Sequence, residues 1–470
     1  MQNCTAAIHL PFLSPPAMQH CSASTPRLAA AHWRAAVPAG KRSQVARFGG
    51  WIAAACVAAC GGVTGVAAEP AGAAAHLATP PAASQPHGLT VEGGRLRMHG
   101  RPYRGIGINQ ADLFQELLKN PGSTRSLDGL RFLGRKNIPF VRFWCCGFWP
   151  RDWELYLKDR QEWFRRLDLV FRTAEEAGVG LVLSLFWRAD TVSDLCRDYT
   201  NAWADPTSRT RQFMADYTRE VVLRYRDSPA VWGWEFANEW NLQCDLPNGL
   251  AVLGHTDANL GVNRERDPRN LLTSEIAAAA LEAFAGEVRR YDPHRFITAG
   301  HSLPRASAWH QSRENSWKAD DRAEVIEMLR LQNPAPLDVL SIHVYPQPAN
   351  ELRLGNAVGT RKVLTLLKEA AAAAGQPLFV GEFSAGGGHK GPAGIPMEDF
   401  RAQQADILSA LADTRVDLAA HWVFGLGEHP IGPGLVREGN EYEWVLDEIA
   451  TWNQRLVHDD AQDEPPVADQ

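Results

Sequence analysis

The sequence predicts an α/β fold, a (β/α)8 TIM barrel preceded by a short N-terminal β-hairpin. Three observations carry that expectation. Eight short runs rich in β-branched and aromatic residues alternate with helical patterns between residues 104 and 423. No Gly-rich phosphate fingerprint follows any of these runs, which argues against a doubly wound sheet. The chain has 470 residues, enough for a barrel of about 250 residues with insertions and flanking segments.

The folded part is expected to begin near Leu89. The segment LTVEGGRLRMHGRPYRG (89–105) has strand-like halves around Gly93-Gly94, a pair that suits a tight hairpin turn. The eight strand-like runs are 104–108, 140–143, 180–186, 231–236, 296–299, 339–343, 378–381 and 418–423. Between the second and third, Trp163, Leu167, Val170, Phe171 and Ala174 fall on one face of a helix, and Gly178 follows as a stop signal. Phe213, Tyr217, Val221 and Tyr225 repeat at four-residue steps before the fourth run. Gly375 and Pro377 end an Ala-rich helical stretch before the seventh. These stripes are read as faces that pack on strands.

The flanks read differently. Residues 1–68 are expected to be a targeting region. Lys41, Arg42 and Arg47 precede a small-residue apolar run at 51–59, too short to span a membrane comfortably. Val66-Ala67-Ala68 offers a signal-peptidase site, and Val57-Ala58-Ala59-Cys60 offers a lipidation site, with Cys60 as lipid anchor; both remain open. Either leads to a secreted, periplasmic or membrane-anchored protein. A cytoplasmic protein with an Ala-rich head is the alternative, and the long stretch before the apolar run leaves a later start codon open. Residues 69–88 form an Ala/Pro-rich linker, 89–456 the barrel domain, and 457–470 a polar tail expected to be disordered.

A net charge of −6 leaves no basic footprint for nucleic acid, and a monomer is expected. Cys145, Cys146, Cys196 and Cys244 follow the head; Cys196 and Cys244 could bridge neighbouring loops if the domain is exported. No C-x-x-C spacing points to zinc, and no cofactor or metal is expected. Asp190, Asp194 and Asp245 are read as solvated loop charges, not calcium ligands. Sixteen Trp serve either core packing or flat platforms around a cleft.

In a barrel of this kind, functional residues sit at or just past the C-terminal ends of the strands. Applied run by run, that rule selects Asn109, Arg142, Phe186 with Trp187, Asn238 with Glu239, His301, His343 with Tyr345, Glu382, and Trp422. Two of these are carboxylates. A carboxylate pair on one rim is what glycosidic bond cleavage needs, one acting as acid and the other as nucleophile or base. Each residue also has a plainer reading: Arg142 as an internal ion-pair partner, His343 and His301 as structural histidines, each glutamate as one member of a structural ion pair.

In that order on successive runs, Asn238-Glu239, His343-x-Tyr345, Glu382 in Gly-Glu-Phe, Arg142 and Trp422 resemble the clan A glycoside hydrolases. Within them the pattern is similar to family five, the cellulase and β-mannanase family, over roughly residues 89–452. The sequence departs from that pattern in having no His at the end of the third run, where LSLFWRAD stands. It also has Asn-Glu-Trp-Asn where Asn-Glu-Pro is usual. Both departures bear on the preferred sugar.

The resemblance implies a retaining hydrolase of a β-linked glycan, β-1,4-mannan or β-glucan. Glu382 would be nucleophile and Glu239 acid/base, with the ionised Glu382 helping to raise the pKa of Glu239. Arg142 and Tyr345 would keep Glu382 charged, Asn238 would hold the sugar 2-hydroxyl, and Trp422 would floor the subsite. His343, Asn109, Trp187 and His301 complete the expected substrate-binding set. One of Trp309 and Trp317 is expected to touch glycan. A non-catalytic carbohydrate-binding barrel, a transglycosylase on the same scaffold and a metal-dependent barrel hydrolase are the competing readings.

Overall fold

A computed structural model describes residues 87–253, 257–262, 266–345, 359–386, 395–427 and 434–462. The expected targeting region, nearly all of the linker and residues 463–470 lie outside the described residues. All that follows concerns the unit Ser84–Gln470.

The chain opens with the expected hairpin. Strands β1 (Leu89–Glu92) and β2 (Arg95–Met98) pair antiparallel, with Glu92 opposite Arg95. The turn residues Gly93 and Gly94 have φ of 58° and 72°, the left-handed conformation that a two-residue hairpin turn requires. A short β3 (Arg101–Pro102) adds to β2.

Eight parallel strands follow, one for each run expected from the sequence: β4 (Gly105–Asn109), β5 (Phe140–Trp144), β6 (Gly180–Ser184), β7 (Val231–Glu235), β8 (Phe296–Thr298), β9 (Leu340–Val344), β10 (Leu378–Phe383) and β11 (Leu418–His421). Their order is β8-β7-β6-β5-β4-β11-β10-β9. The seam between β8 and β9 is closed by a parallel bridge from Thr298 to Val339, which completes the barrel.

Side-chain alternation divides the barrel interior into layers. Phe140, Val182, Phe296, Val339, Phe379 and Leu418 form an apolar floor near the strand starts, and Leu89 and Leu96 of the hairpin pack onto it. The hairpin thus plugs the end of the barrel opposite the rim. The larger core lies between strands and helices. In the helix Arg160–Ala177, Trp163, Leu167, Val170, Phe171 and Ala174 are all buried, and Gly178 caps the helix with φ 66°.

Three expectations are corrected. Among the described residues the four cysteines are free, and burial raises the pKa of each thiol, to about 12 at Cys196. The last helix, Trp444–Gln462, continues through Val457, because its apolar face reaches Leu456 before the polar tail begins. Asp190, Asp194 and Asp245 are paired rather than free loop charges: they are bound by Arg188, Arg266 and Ser274 respectively.

Candidate active site

Above the apolar floor, the inward-facing side chains at the C-terminal strand ends turn polar. Arg142 is the centre of this layer. It lies two residues beyond the floor residue Phe140 on β5, so it faces inward, and it is fully buried. An unpaired guanidinium there would be very costly. Each of its three nitrogens is engaged. Nε donates to both oxygens of Glu235 (2.9 and 2.8 Å), Nη1 to Asn109 Oδ1 and Glu382 Oε1 (3.0 Å each), and Nη2 to Asn238 Oδ1 (2.8 Å). Its Cζ also stands 4.5 Å from the centroid of the Trp187 ring.

Glu382 reaches this layer through an irregularity. Phe379 faces inward, so strict alternation would turn Glu382 outward. The register of β10 shifts between Val380 and Glu382 against β9, and between Val380 and Phe383 against β11. A bulge of this sort re-aims the side chain that follows it. Space at the bulge is tight: a Cβ on Gly381 would lie 3.0 Å from His343 Nε2, which would have to give way slightly. With Glu382 turned inward, Tyr345 Oη donates to its Oε2 at 2.6 Å while Arg142 holds Oε1.

Glu239 arrives differently. Beyond β7 the chain follows the extension of β8, with Ala237 N donating to Ala299 O and Glu239 N to Gly300 O. Glu239 then turns into the left-handed region at φ 50°, an unusual conformation for a side-chain-bearing residue, and begins the 3₁₀ turn Trp240–Gln243. Gly300, at φ 73°, permits this approach; a Cβ there would stand 1.9 Å from Ala237 O and 2.6 Å from Glu235 Cδ.

The two glutamates meet over His343. One oxygen of each, with one ring nitrogen of His343, forms a group whose atoms all lie within 4.8 Å of one another. His343 Nδ1 is 2.9 Å from Glu239 Oε1 and 3.6 Å from Glu382 Oε1, and its Nε2 is buried with no hydrogen-bond partner among the described residues. A proton on Nδ1 would face the Glu239 carboxylate. By spacing alone the trio could hold a cation. However, Arg142 and Tyr345 already bind both oxygens of Glu382, so the site supplies its own positive charge and donor.

The carboxylates differ in setting. The Glu382 side chain is 5% exposed and that of Glu239 32%. Burial pushes the Glu382 carboxyl above the usual range. Glu239 adds to the rise, and His343, Arg142 and Tyr345 oppose it. Burial and the nearby Glu382 and Glu239 carboxylates push Tyr345 well above its ordinary pKa, so it remains a donor.

Aromatic side chains pack beside Arg142 in a row. Trp422 stacks with Trp187 (centroids 6.4 Å, 19°), Trp187 meets Trp144, and Trp144 meets Phe148. On the side of Glu239, the loop after β8 is tied to the turn beyond Glu239. Asn241 and Ser302 exchange hydrogen bonds, and Arg305 donates to the carbonyls of Asn241, Leu242 and Cys244. That loop holds Trp317 57% exposed, with its carbonyl fixed by Ser307 (2.9 Å). Trp309 instead donates its indole N–H to Glu327.

The structure therefore brings together Arg142, Asn238, Glu239, His343, Tyr345, Glu382, Trp187 and Trp422. Two expected ligand contacts stand apart. Asn109 is fully buried; its amide nitrogen serves the carbonyls of Gly381, Ala420 and His421 and its oxygen accepts from Arg142, so it is a brace. His301 is also fully buried, with Nδ1 on Gln332 O (2.7 Å), and burial lowers its pKa to about 4. The sequence reading passed over Glu235, although a charged residue four positions before Glu239 in an otherwise apolar run was a visible signal.

No family model matches the chain. A putative mannan endo-1,4-β-mannosidase 9 from Oryza sativa subsp. japonica is 27% identical over 220 residues, 42% of this chain and 52% of that protein. The chain spans about half, or less, of the length of the curated relatives it matches. Among solved structures, an endo-1,4-β-mannanase from Rhizomucor miehei superposes with a TM-score of 0.54 at 15% identity, covering 79% of this chain and 99% of that one. A glycoside hydrolase family 5 mannosidase from the same organism gives 0.54 at 13%, covering 80% and 100%. The (β/α)8 barrel is thus the fold that these two enzymes share with this chain.

Proposed function

We propose that this protein is a retaining glycoside hydrolase of β-1,4-linked mannan. The observation that carries the reading is the facing of Glu239 and Glu382 across a gap of at most 4.8 Å between oxygens, in unlike surroundings. Retaining enzymes hold their carboxyl groups about 5–5.5 Å apart, whereas inverting ones leave room for a water. The choice of mannan is supported by the relatives and structural neighbours, which are named as mannan-cleaving enzymes.

In this mechanism Glu382, ionised, attacks the anomeric carbon while Glu239 passes its proton to the departing glycosidic oxygen. Glu239 then takes a proton from the water that cleaves the glycosyl ester, and Glu382 leaves as carboxylate. Tyr345 and Arg142 fix the attacking carboxylate by one oxygen each. The Asn238 amide, whose oxygen Arg142 already holds, is the group that would donate to the sugar 2-hydroxyl. The greater exposure of Glu239 suits a group that must exchange protons with leaving group and water. The part-exposed Trp422 ring offers an apolar face for a sugar ring, and Trp187, expected to bind substrate, is 4% exposed and backs it.

A panel of mannan, glucomannan, carboxymethylcellulose, mixed-linkage glucan and xylan, with sizing of the products, tests this. Short oligosaccharides from the two mannose-containing polymers are expected. Binding to a polymer without any release of sugar from the panel would instead favour a non-catalytic carbohydrate-binding barrel.

A further inference from the structure

We infer that Glu235 is a positioning residue for the reaction. It anchors Arg142 by the Nε edge and stays as its counter-ion when Glu382 loses its charge. The inference rests on the reading of Glu382 as nucleophile.

The geometry is specific. Glu235 ends β7 fully buried, and both of its oxygens accept from Arg142 Nε. That leaves the two terminal nitrogens of Arg142 to Asn109, Glu382 and Asn238. Rotation of the guanidinium would move the donors of Glu382 and Asn238 together, so the carboxylate that holds Nε sets the aim of both. Glu235 is itself held in place: Gly300, which accepts from Glu239 N, leaves just enough room for it, and a Cβ at that position would lie 2.6 Å from Glu235 Cδ.

Charge gives the second reason. Arg142 faces two buried carboxylates with one positive charge. In the first step a bond forms between Glu382 and the anomeric carbon, the glycosidic C–O bond breaks, and Glu239 supplies the proton to the leaving oxygen. Glu382 is then a neutral ester. Had Arg142 no other partner, its buried charge would be stranded in the intermediate, and breaking a buried pair in that way is strongly unfavourable. Glu235 keeps the guanidinium paired throughout the cycle. Before the step, it also divides the attraction of Arg142, so that Glu382 is not neutralised by a partner of its own.

The groups facing Glu382 are Arg142 from β5, Glu239 beyond β7, and His343 and Tyr345 from β9 and its end. Glu235→Gln changes none of them, keeps the shape and one oxygen to accept from Arg142 Nε, replaces the other accepting oxygen by an amide donor, and removes one charge. It is expected to lower kcat by about tenfold or more, the scale of a charge-assisted hydrogen bond. It should also move the acidic limb of kcat/KM to lower pH, because the whole charge of Arg142 then favours ionised Glu382. Glu235→Asp keeps the charge at shorter reach; its acidic limb should stay at the wild-type position while kcat falls several-fold.

A Glu235→Gln protein with a wild-type limb and kcat within twofold would overturn the inference. If that variant does not fold, Glu235→Asp decides: unchanged kcat refutes the positioning role, and a lowered kcat with an unmoved limb supports it. These outcomes are distinct from failure of the underlying reading, in which the wild type itself would release no sugar or Glu382→Ala would remain active.

Discussion

Tyr345 donates its phenolic hydrogen to Glu382 Oε2 at 2.6 Å, from the strand end next to the one that carries the carboxylate. The bond does two things. It fixes the rotation of Glu382, and it stabilises the ionised form against the burial that opposes it. Removing the hydroxyl separates these effects from simple packing.

Tyr345→Phe should reduce kcat by about 10- to 100-fold, which corresponds to the 1.5–3 kcal/mol of a hydrogen bond to a charged group. Without the donor, the pKa of Glu382 rises further. In the proposed mechanism Glu382 attacks as the carboxylate, so the acidic limb of the pH–rate profile should move to higher pH. A pH series of kcat/KM for both proteins checks the direction.

Glu239→Ala should be selective in what it damages. A substrate with a good leaving group needs no proton in the first step, so glycosylation by an activated aryl β-mannoside should survive far better than cleavage of polymer. Pre-steady-state release of the phenol, set beside reducing-end release from mannan, measures the split. Equal loss on both would count against the acid role.

Stability should run opposite to activity at Glu382. Its folded pKa is raised, so protonation is favoured in the native state, and the carboxylate costs stability as pH rises through that pKa. Glu382→Gln should therefore raise the unfolding free energy near neutral pH by about 1 kcal/mol, the common scale of such trade-offs. The gain should vanish in acid, where the native carboxyl is already neutral. Denaturant unfolding at two pH values tests the sign.

Trp317 is exposed on a loop fastened to the turn beyond Glu239, a suitable place for stacking a sugar outside the central cleft. Trp317→Ala should raise KM for long manno-oligosaccharides by about tenfold, as expected for loss of roughly 1.5 kcal/mol of aromatic contact. Short aryl glycosides should be unaffected. A chain-length series of KM values distinguishes this from a surface tryptophan without contact to substrate.

The parts of this molecule that were legible in the sequence are those governed by local rules. Each barrel strand coincides with a β-branched or aromatic run, because a strand buried on both faces must be apolar throughout. The Gly93-Gly94 turn was visible because the primed turn needs two residues with positive φ. The rim residues were visible because a polar side chain at the end of such a strand is conspicuous.

What was hidden depends on three dimensions. The bulge that turns Glu382 inward is a register relation among three strands, and a glycine before a glutamate does not announce it. The bracing role of Asn109 depends on carbonyls from β10 and β11, far along the chain. Glu235 lay inside a run read for its hydrophobicity, and its meaning depended on which arginine stood opposite. The two loop cysteines suggested a bridge from their position after successive strands, but Cys196 and Cys244 remain separate thiols.

The most direct test of the pairing of Glu239 with Glu382 is the anomeric configuration of the product when Glu382→Ala turns over an activated aryl β-mannoside in azide. With the nucleophile gone, azide should enter from the vacated face and give the α-mannosyl azide, with turnover restored by the added anion. Near-wild-type turnover without azide, or a β-mannosyl azide, would contradict the account.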